Sequence, residues 1–171
     1  MELLLAIAVL AILVTLAVPS FTQFIQNNRL AGQANEMVAA FQFARSEALK
    51  RGVWADMCAS ADGESCGGSF ADGWIVETGP AGLRADETNP LRVWSAPGDD
   101  LQFDSQQSFA RFLSSGCFDH DRDGACSAPQ SDPAAETPLI ELKIPECPND
   151  NLREILISRT GRVSSNRVDC P

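Results

Sequence analysis

The side chains able to do chemistry here are six cysteines, one histidine and a short run of alternating aspartates. The cysteines stand at positions 58, 66, 117, 126, 147 and 170, all behind an apolar N-terminal segment. An even count in that context points to an oxidising compartment and a disulfide framework. Zinc is the competing use of thiols, but no C-x-x-C occurs and His120 is the one imidazole available. Spacing favours neighbours, Cys58–Cys66, Cys117–Cys126 and Cys147–Cys170, among the many pairings that six cysteines allow. Bridging Cys147 to Cys170 would close a loop of about 24 residues and stabilise a tail poor in apolar residues by roughly 3 kcal/mol in the chain-entropy picture.

Asp119-His120-Asp121-Arg122-Asp123-Gly124 follows the pattern D-x-D-x-D-G. Alternate carboxylates in such a loop converge on one hard cation while the glycine permits a sharp turn, which makes Asp119, Asp121 and Asp123 candidate Ca²⁺ ligands. The twelfth position is Gln130 where a bidentate glutamate would complete the loop, with Asp132 or Glu136 as substitutes. The plainer reading is a solvated acidic turn closed by Cys117 and Cys126, and no other cofactor is expected. A hydrolase needs a nucleophile, a base and an orienting group. One histidine, no tyrosine and cysteines committed to bridges leave no such set, so the composition argues against an enzyme.

These residues must be held by elements of two kinds. Residues 3 to 18 contain a single polar side chain, Thr15, and Phe21, Phe24 and Ile25 extend the apolar surface. From Leu30 the apolar positions Leu30, Ala34, Met37, Phe41, Ala44 and Ala48 recur at spacings of three and four, a one-sided helical stripe. Pro19 and Gly32 alone interrupt the pattern, so a single helix of about 48 residues, roughly 70 Å long, is expected with a kink near Pro19. Residues 1–28 form its apolar half, which lipid or sister copies must cover, and residues 29–51 form its amphipathic half. An acid at the head of an apolar helix, Glu2, is costly in lipid unless it is paired.

After Gly52 the pattern turns to short apolar or alternating runs at 53–58, 74–78, 91–95, 101–103, 109–113, 139–144, 155–158 and 162–164, separated by Gly-, Pro- and Ser-rich loops. Residues 52–171 are therefore expected to form a β-rich domain of one or two antiparallel sheets, with the amphipathic helix packed across an apolar face. The fold class is α+β, stapled by disulfides. Trp54, Trp74 and Trp94 are read as core or sheet filling rather than ligand binders.

The segment E-L-L-L-A-I-A-V-L-A-I-L-V-T-L-A-V-P-S-F resembles the N-terminus of type IV pilins and type II secretion pseudopilins, with Glu2 and Pro19 in the family's register. The resemblance implies that Glu2 pairs with the N-terminal amine of a neighbouring subunit during assembly, which would offset the cost of burying it. It also implies that Pro19 marks a bend or local unwinding. The family's processing site, a glycine followed by F-T-L-x before the glutamate, is absent; Met1 occupies the x position, and the reading frame upstream of Met1 is expected to encode G-F-T-L or a close variant.

Three further stretches, F-A-R-S-E-A-L-K-R-G (43–52), D-G-W-I-V (72–76) and R-E-I-L-I-S-R-T-G-R-V (153–163), resemble FimT/FimU-type minor pilins and the related H-type pseudopilins. The resemblance implies a structural subunit of a type IV pilus that helps prime assembly or forms a tip complex. Its implied partners are other minor pilins and the major pilin, met through the N-terminal helix. It would pass once through the inner membrane with a periplasmic C-terminal domain before entering an extracellular pilus. The alternatives are an H-type pseudopilin of a secretion system and a FimT-like DNA-binding pilin using Arg159, Arg162 and Arg167. Three arginines neutralise about three phosphates, a weak and salt-sensitive contact. Against 13 basic and 23 acidic residues, a net charge of −10, nucleic acid is unfavoured and strand-end or subunit contacts are the preferred use of these arginines. No small-molecule substrate is expected.

Overall fold

A computed structural model of the chain describes residues 2–83, 89–98, 101–127, 139–145, 147 and 151–170. Its first element is one helix, α1 (Glu2–Arg51), of 50 residues, about 75 Å long. The expected stripe is the buried stripe: Leu30, Ala34, Met37, Phe41, Ala44 and Ala48 are each 0–1% exposed. Four of the helix's core residues are alanines, Ala34, Ala40, Ala44 and Ala48, which lets backbone approach backbone closely. The helix ends where Gly52, at φ 69°, donates its N–H to the Ala48 carbonyl at 3.0 Å. Glycine adopts that left-handed conformation without a Cβ penalty.

Among the described residues nine strands follow, all pairing antiparallel: β1 (Ala55–Ala59), β2 (Gly73–Thr78), β3 (Arg92–Ser95), β4 (Gln102–Ser105), β5 (Phe109–Phe112), β6 (Phe118–Asp119), β7 (Ile140–Lys143), β8 (Leu152–Ile157) and β9 (Val163–Val168). They form a five-stranded sheet in the order β3-β2-β1-β5-β6 and a four-stranded sheet in the order β4-β7-β8-β9. Every expected strand segment overlaps an observed one; the two-residue β6 was not foreseen. One apolar core joins the helix stripe to both sheets, through Met57, Trp74, Val76, Phe112 and Phe118 on one side and Ile140, Leu142, Ile155 and Ile157 on the other.

The β8–β9 hairpin runs alongside α1 and is fastened to it at both ends. At one end Asn151 donates from Nδ2 to Asn27 Oδ1 at 2.7 Å. At the other, Arg45 donates from Nη2 to the Thr160 carbonyl at 3.0 Å. The lengths agree: from Asn27 to Arg45 the helix rises about 27 Å, and from Asn151 to Thr160 an extended chain reaches about 30 Å.

Disulfides join Cys58 to Cys66 and Cys117 to Cys126, the neighbour pairings that spacing favours. Cys147 is joined to Cys170. The first two fold loops 60–72 and 117–127 back over the solvent side of the five-stranded sheet. That is why β1, with Asp56 and Cys58 on its outer face, is buried at every position.

Candidate assembly and ligand surfaces

The two halves of α1 differ in what covers them. The N-terminal half leaves large apolar side chains in the open: Leu3 is 74% exposed, and Phe21 and Phe24 are 64% exposed. The helix is long and apolar enough to cross a membrane, and none of its most apolar stretch is buried against the domain. Glu2 opens this element and Pro19 lies inside it, with helix assigned without a break across both. Proline has no N–H to donate, so the Thr15 carbonyl lacks its ordinary helical donor.

The acids of the D-x-D-x-D-G loop bond within their own turn. Asp119 is fully buried, and its two carboxylate oxygens accept the N–H groups of Asp123 at 3.2 Å and Gly124 at 3.0 Å. Asp121 turns to His120 Nδ1 at 3.0 Å, and Asp123 accepts the Ala125 N–H at 2.8 Å. Among the described residues, Asp119, Asp121 and Asp123 are not a group whose ligand atoms all lie within 4.8 Å of one another. Gln130, Asp132 and Glu136 lie outside the described residues. The groups that do come within 4.8 Å of one another are Cys58, Cys66 and Glu77. There the sulfurs are bonded to each other, which removes the thiolates a metal would need.

What the loop delivers is Arg122, held at φ 58°. Its guanidinium lies 3.6 Å from the Phe109 ring centroid and donates to Asp56 Oδ2 at 3.0 Å. Arg111 makes a two-pronged bond to the same carboxylate, both contacts at 2.7 Å, while stacking 4.1 Å from Trp54. Asp56 is 1% exposed, so two guanidiniums neutralise one buried acid. Its hydrogen bond to Asp56 raises the Arg111 pKa further above its already high ordinary value. Glu77, opposite Asp56 on β2, is pushed up by burial and by the Asp56 charge. Trp74 and Trp94 are core residues as expected. Trp54 is half-buried and serves as a platform for Arg111 instead.

The tail arginines are not brought together. Arg159 and Arg162 sit exposed at the β8–β9 turn, whereas Arg167 lies near the far end of β9 opposite Arg153, about 17 Å from Arg162 along the strand. The turn carries a structural contact that ties two of the sequence motifs together. Arg45 donates from Nε to the Gly116 carbonyl at 2.7 Å and from Nη2 to that of Thr160. Gly161 sits at φ 76°, and a Cβ there would strike the Gly116 carbonyl and Arg45 Nε. Arg45 of the helix motif and Gly161 of the tail motif thus meet at one joint.

Sequence reasoning missed Asp56 with its two arginines, because the partners are 55 and 66 residues away. It also missed Asp62, whose carboxylate accepts from Glu64 N, Ser65 N, Ser65 Oγ and Ser60 Oγ and is held well below the usual carboxylate range by those bonds, the one from the Ser65 backbone foremost. The D-G-E-S run at 62–65 was the available signal for that turn.

Comparison with known proteins places this geometry. The family model described as type II transport protein GspH matches residues 33–161. The type IV minor pilin FimU of Pseudomonas aeruginosa is similar in structure, with a TM-score of 0.54 and 21% identity over 84% of this chain and 92% of that one. The minor pseudopilin EpsH of the type 2 secretion system of Vibrio cholerae is also similar, with a TM-score of 0.49 and 13% identity over 81% of this chain and 97% of that one. No curated protein matches the chain significantly.

Proposed function

The chain belongs to the type II transport protein GspH family, and we propose that it works as a minor pilin, a structural subunit that helps prime a type IV pilus or forms its tip complex with other minor pilins. Residues 1–28 lie in the inner membrane before assembly and in the filament core afterwards; residues 29–51 and 52–171 make the periplasmic, later extracellular, domain. Glu2 docks on a neighbouring subunit's amine, and Pro19 supplies the local loosening of the helix that packing requires. The observation that carries this reading is the divided helix: one half seals a domain core, and the other exposes Leu3, Phe21 and Phe24, a surface stable only in lipid or among sister helices.

A deletion strain tests it. Loss of surface pili and twitching is the expected result. Loss of protein secretion with pili intact would overturn it in favour of a pseudopilin. Loss of DNA uptake alone would assign the tail arginines to nucleic acid. Glu2→Ala in the complementing copy should leave the subunit in the membrane but out of the filament, read by fractionating sheared pili.

A further inference from the structure

The base of the domain, where α1 leaves it, carries a charge arrangement that the fold itself does not explain. Arg153 on β8 and Arg167 on β9 are direct cross-strand partners. Both lie on the face that Ile155 and Val163 turn toward the core. Like charges directly opposite one another destabilise a sheet. Among the described residues neither arginine has a carboxylate partner, although Asp169 follows Arg167 by two residues. Arg153 Nε is buried without a hydrogen-bond partner. Two guanidiniums carried at one register position, with donors to spare, suit an oxyanion with two free oxygens, because a guanidinium fork binds phosphate oxygens in a two-pronged way.

Location says where the phosphate comes from. Asn151, bonded to Asn27, fixes the start of β8 against the helix just after the exposed apolar residues Phe24 and Ile25. From Ile25 to Asn27 the helix rises about 3 Å, and from Asn151 to Arg153 the strand advances about 7 Å. The Arg153 backbone thus stands about 10 Å beyond Ile25, just outside a headgroup layer roughly 5–8 Å deep and within reach of it for a long arginine side chain. We propose that Arg153 and Arg167 clasp the phosphate of an anionic lipid headgroup and so seat the domain upright on the membrane before assembly. The proposal rests on the reading of the apolar half of α1 as a membrane segment. Arg159 and Arg162, at the opposite end of the hairpin, take no part.

The test uses the full chain inserted in nanodiscs of phosphatidylcholine alone or containing phosphatidylglycerol, with amide hydrogen exchange followed at residues 151–154 and 166–169. Phosphatidylglycerol should slow exchange there, by roughly fivefold for each arginine engaged. Arg167→Gln, an exposed position that should not disturb folding, should lose about fivefold of the slowing. Arg167→Lys, which keeps the charge but not the two-pronged fork, should keep only part of it, and Arg159→Gln should keep all of it. Equal exchange in the two kinds of disc, or slowing undiminished by Arg167→Gln, would overturn the proposal. So would equal slowing by millimolar inorganic phosphate in phosphatidylcholine discs, which would make the pair a free-anion site. Escape of the chain from the discs would instead sink the membrane reading, and this proposal with it; equal exchange in a retained chain sinks this proposal alone.

Discussion

Across the five-stranded sheet the solvent-side row of side chains runs Glu77, Asp56, Arg111, Asp119, whereas the corresponding row of the four-stranded sheet runs Asp104, Glu141, Glu154, Asn166. The first mixes signs and is buried under two disulfide-closed loops, with Asp56 and Asp119 at 1% and 0% exposure. The second is three adjacent acids ending in an amide, and its members are exposed or half-buried. Burial explains the contrast. Charge withdrawn from water must be paired or hydrogen-bonded, while charge that keeps its water tolerates a like neighbour at a cost of tenths of a kcal/mol. Covering a sheet face therefore dictates its chemistry more strictly than pairing strands does.

The largest test of that contrast removes the centre of the mixed row. Asp56→Ala leaves two guanidiniums facing a dry surface and should destabilise the oxidised domain by about 3–5 kcal/mol, read by chemical denaturation; a loss below about 1 kcal/mol would mean that the loops do not exclude water. Next, replacing both Cys117 and Cys126 by Ala frees the loop that carries Arg122. It should cost about 2–4 kcal/mol and restore solvent exchange at residues 119–125 while leaving β8 and β9 protected.

On the acidic row the sign reverses. Glu141→Gln should stabilise by roughly 0.2–1 kcal/mol, because it relieves both Asp104 and Glu154; destabilisation would show that the row is held by something other than water. The smallest effect is its pH dependence. Burial first, and then the Glu141 charge, raise the Glu154 carboxyl above its ordinary 4.5. The folded state thus holds this proton to higher pH than the unfolded chain does. Its penalty is present at neutral pH, shrinks as pH falls through the folded value, and is gone below the unfolded one. The advantage of Glu154→Gln over the parent chain should accordingly be largest at neutral pH and fade toward pH 4.5 in parallel melting curves, with Glu77, raised in the same direction, left in place in both proteins.

The sequence made the helix legible because its stripe is a local, periodic signal: each of the six residues from Leu30 to Ala48 named from spacing is buried. It was less informative about β9, whose V-S-S-N-R-V has no apolar alternation because it is an edge strand packed on one side only. The D-x-D-x-D-G loop shows a different limit. Its acids were weighed as a cation loop against a plain acidic turn; register places β6 beside Arg111, and Asp119 accepts from the loop's own backbone. Spacing along the chain identified the turn; what the turn presents depends on β1 and β5, which are distant in sequence. Arg45 and Gly161 stood in view as family motifs, yet their meeting required the tertiary fold.

The hairpin fastened to α1 at Asn27 and at Arg45 also has a mechanical consequence. A pull along the helix axis, such as a filament under tension would apply, loads β8 and β9 lengthwise. Their cross-strand hydrogen bonds are then sheared together rather than opened one after another from an end. The two fastenings, about 27 Å apart on the helix, distribute that load over the whole hairpin. The joint of Arg45 with the Gly116 and Thr160 carbonyls passes part of it to the loop that Cys117 and Cys126 close. In those terms α1 is a tendon anchored along its length, and Gly161 is the point where the anchorage permits no added atom.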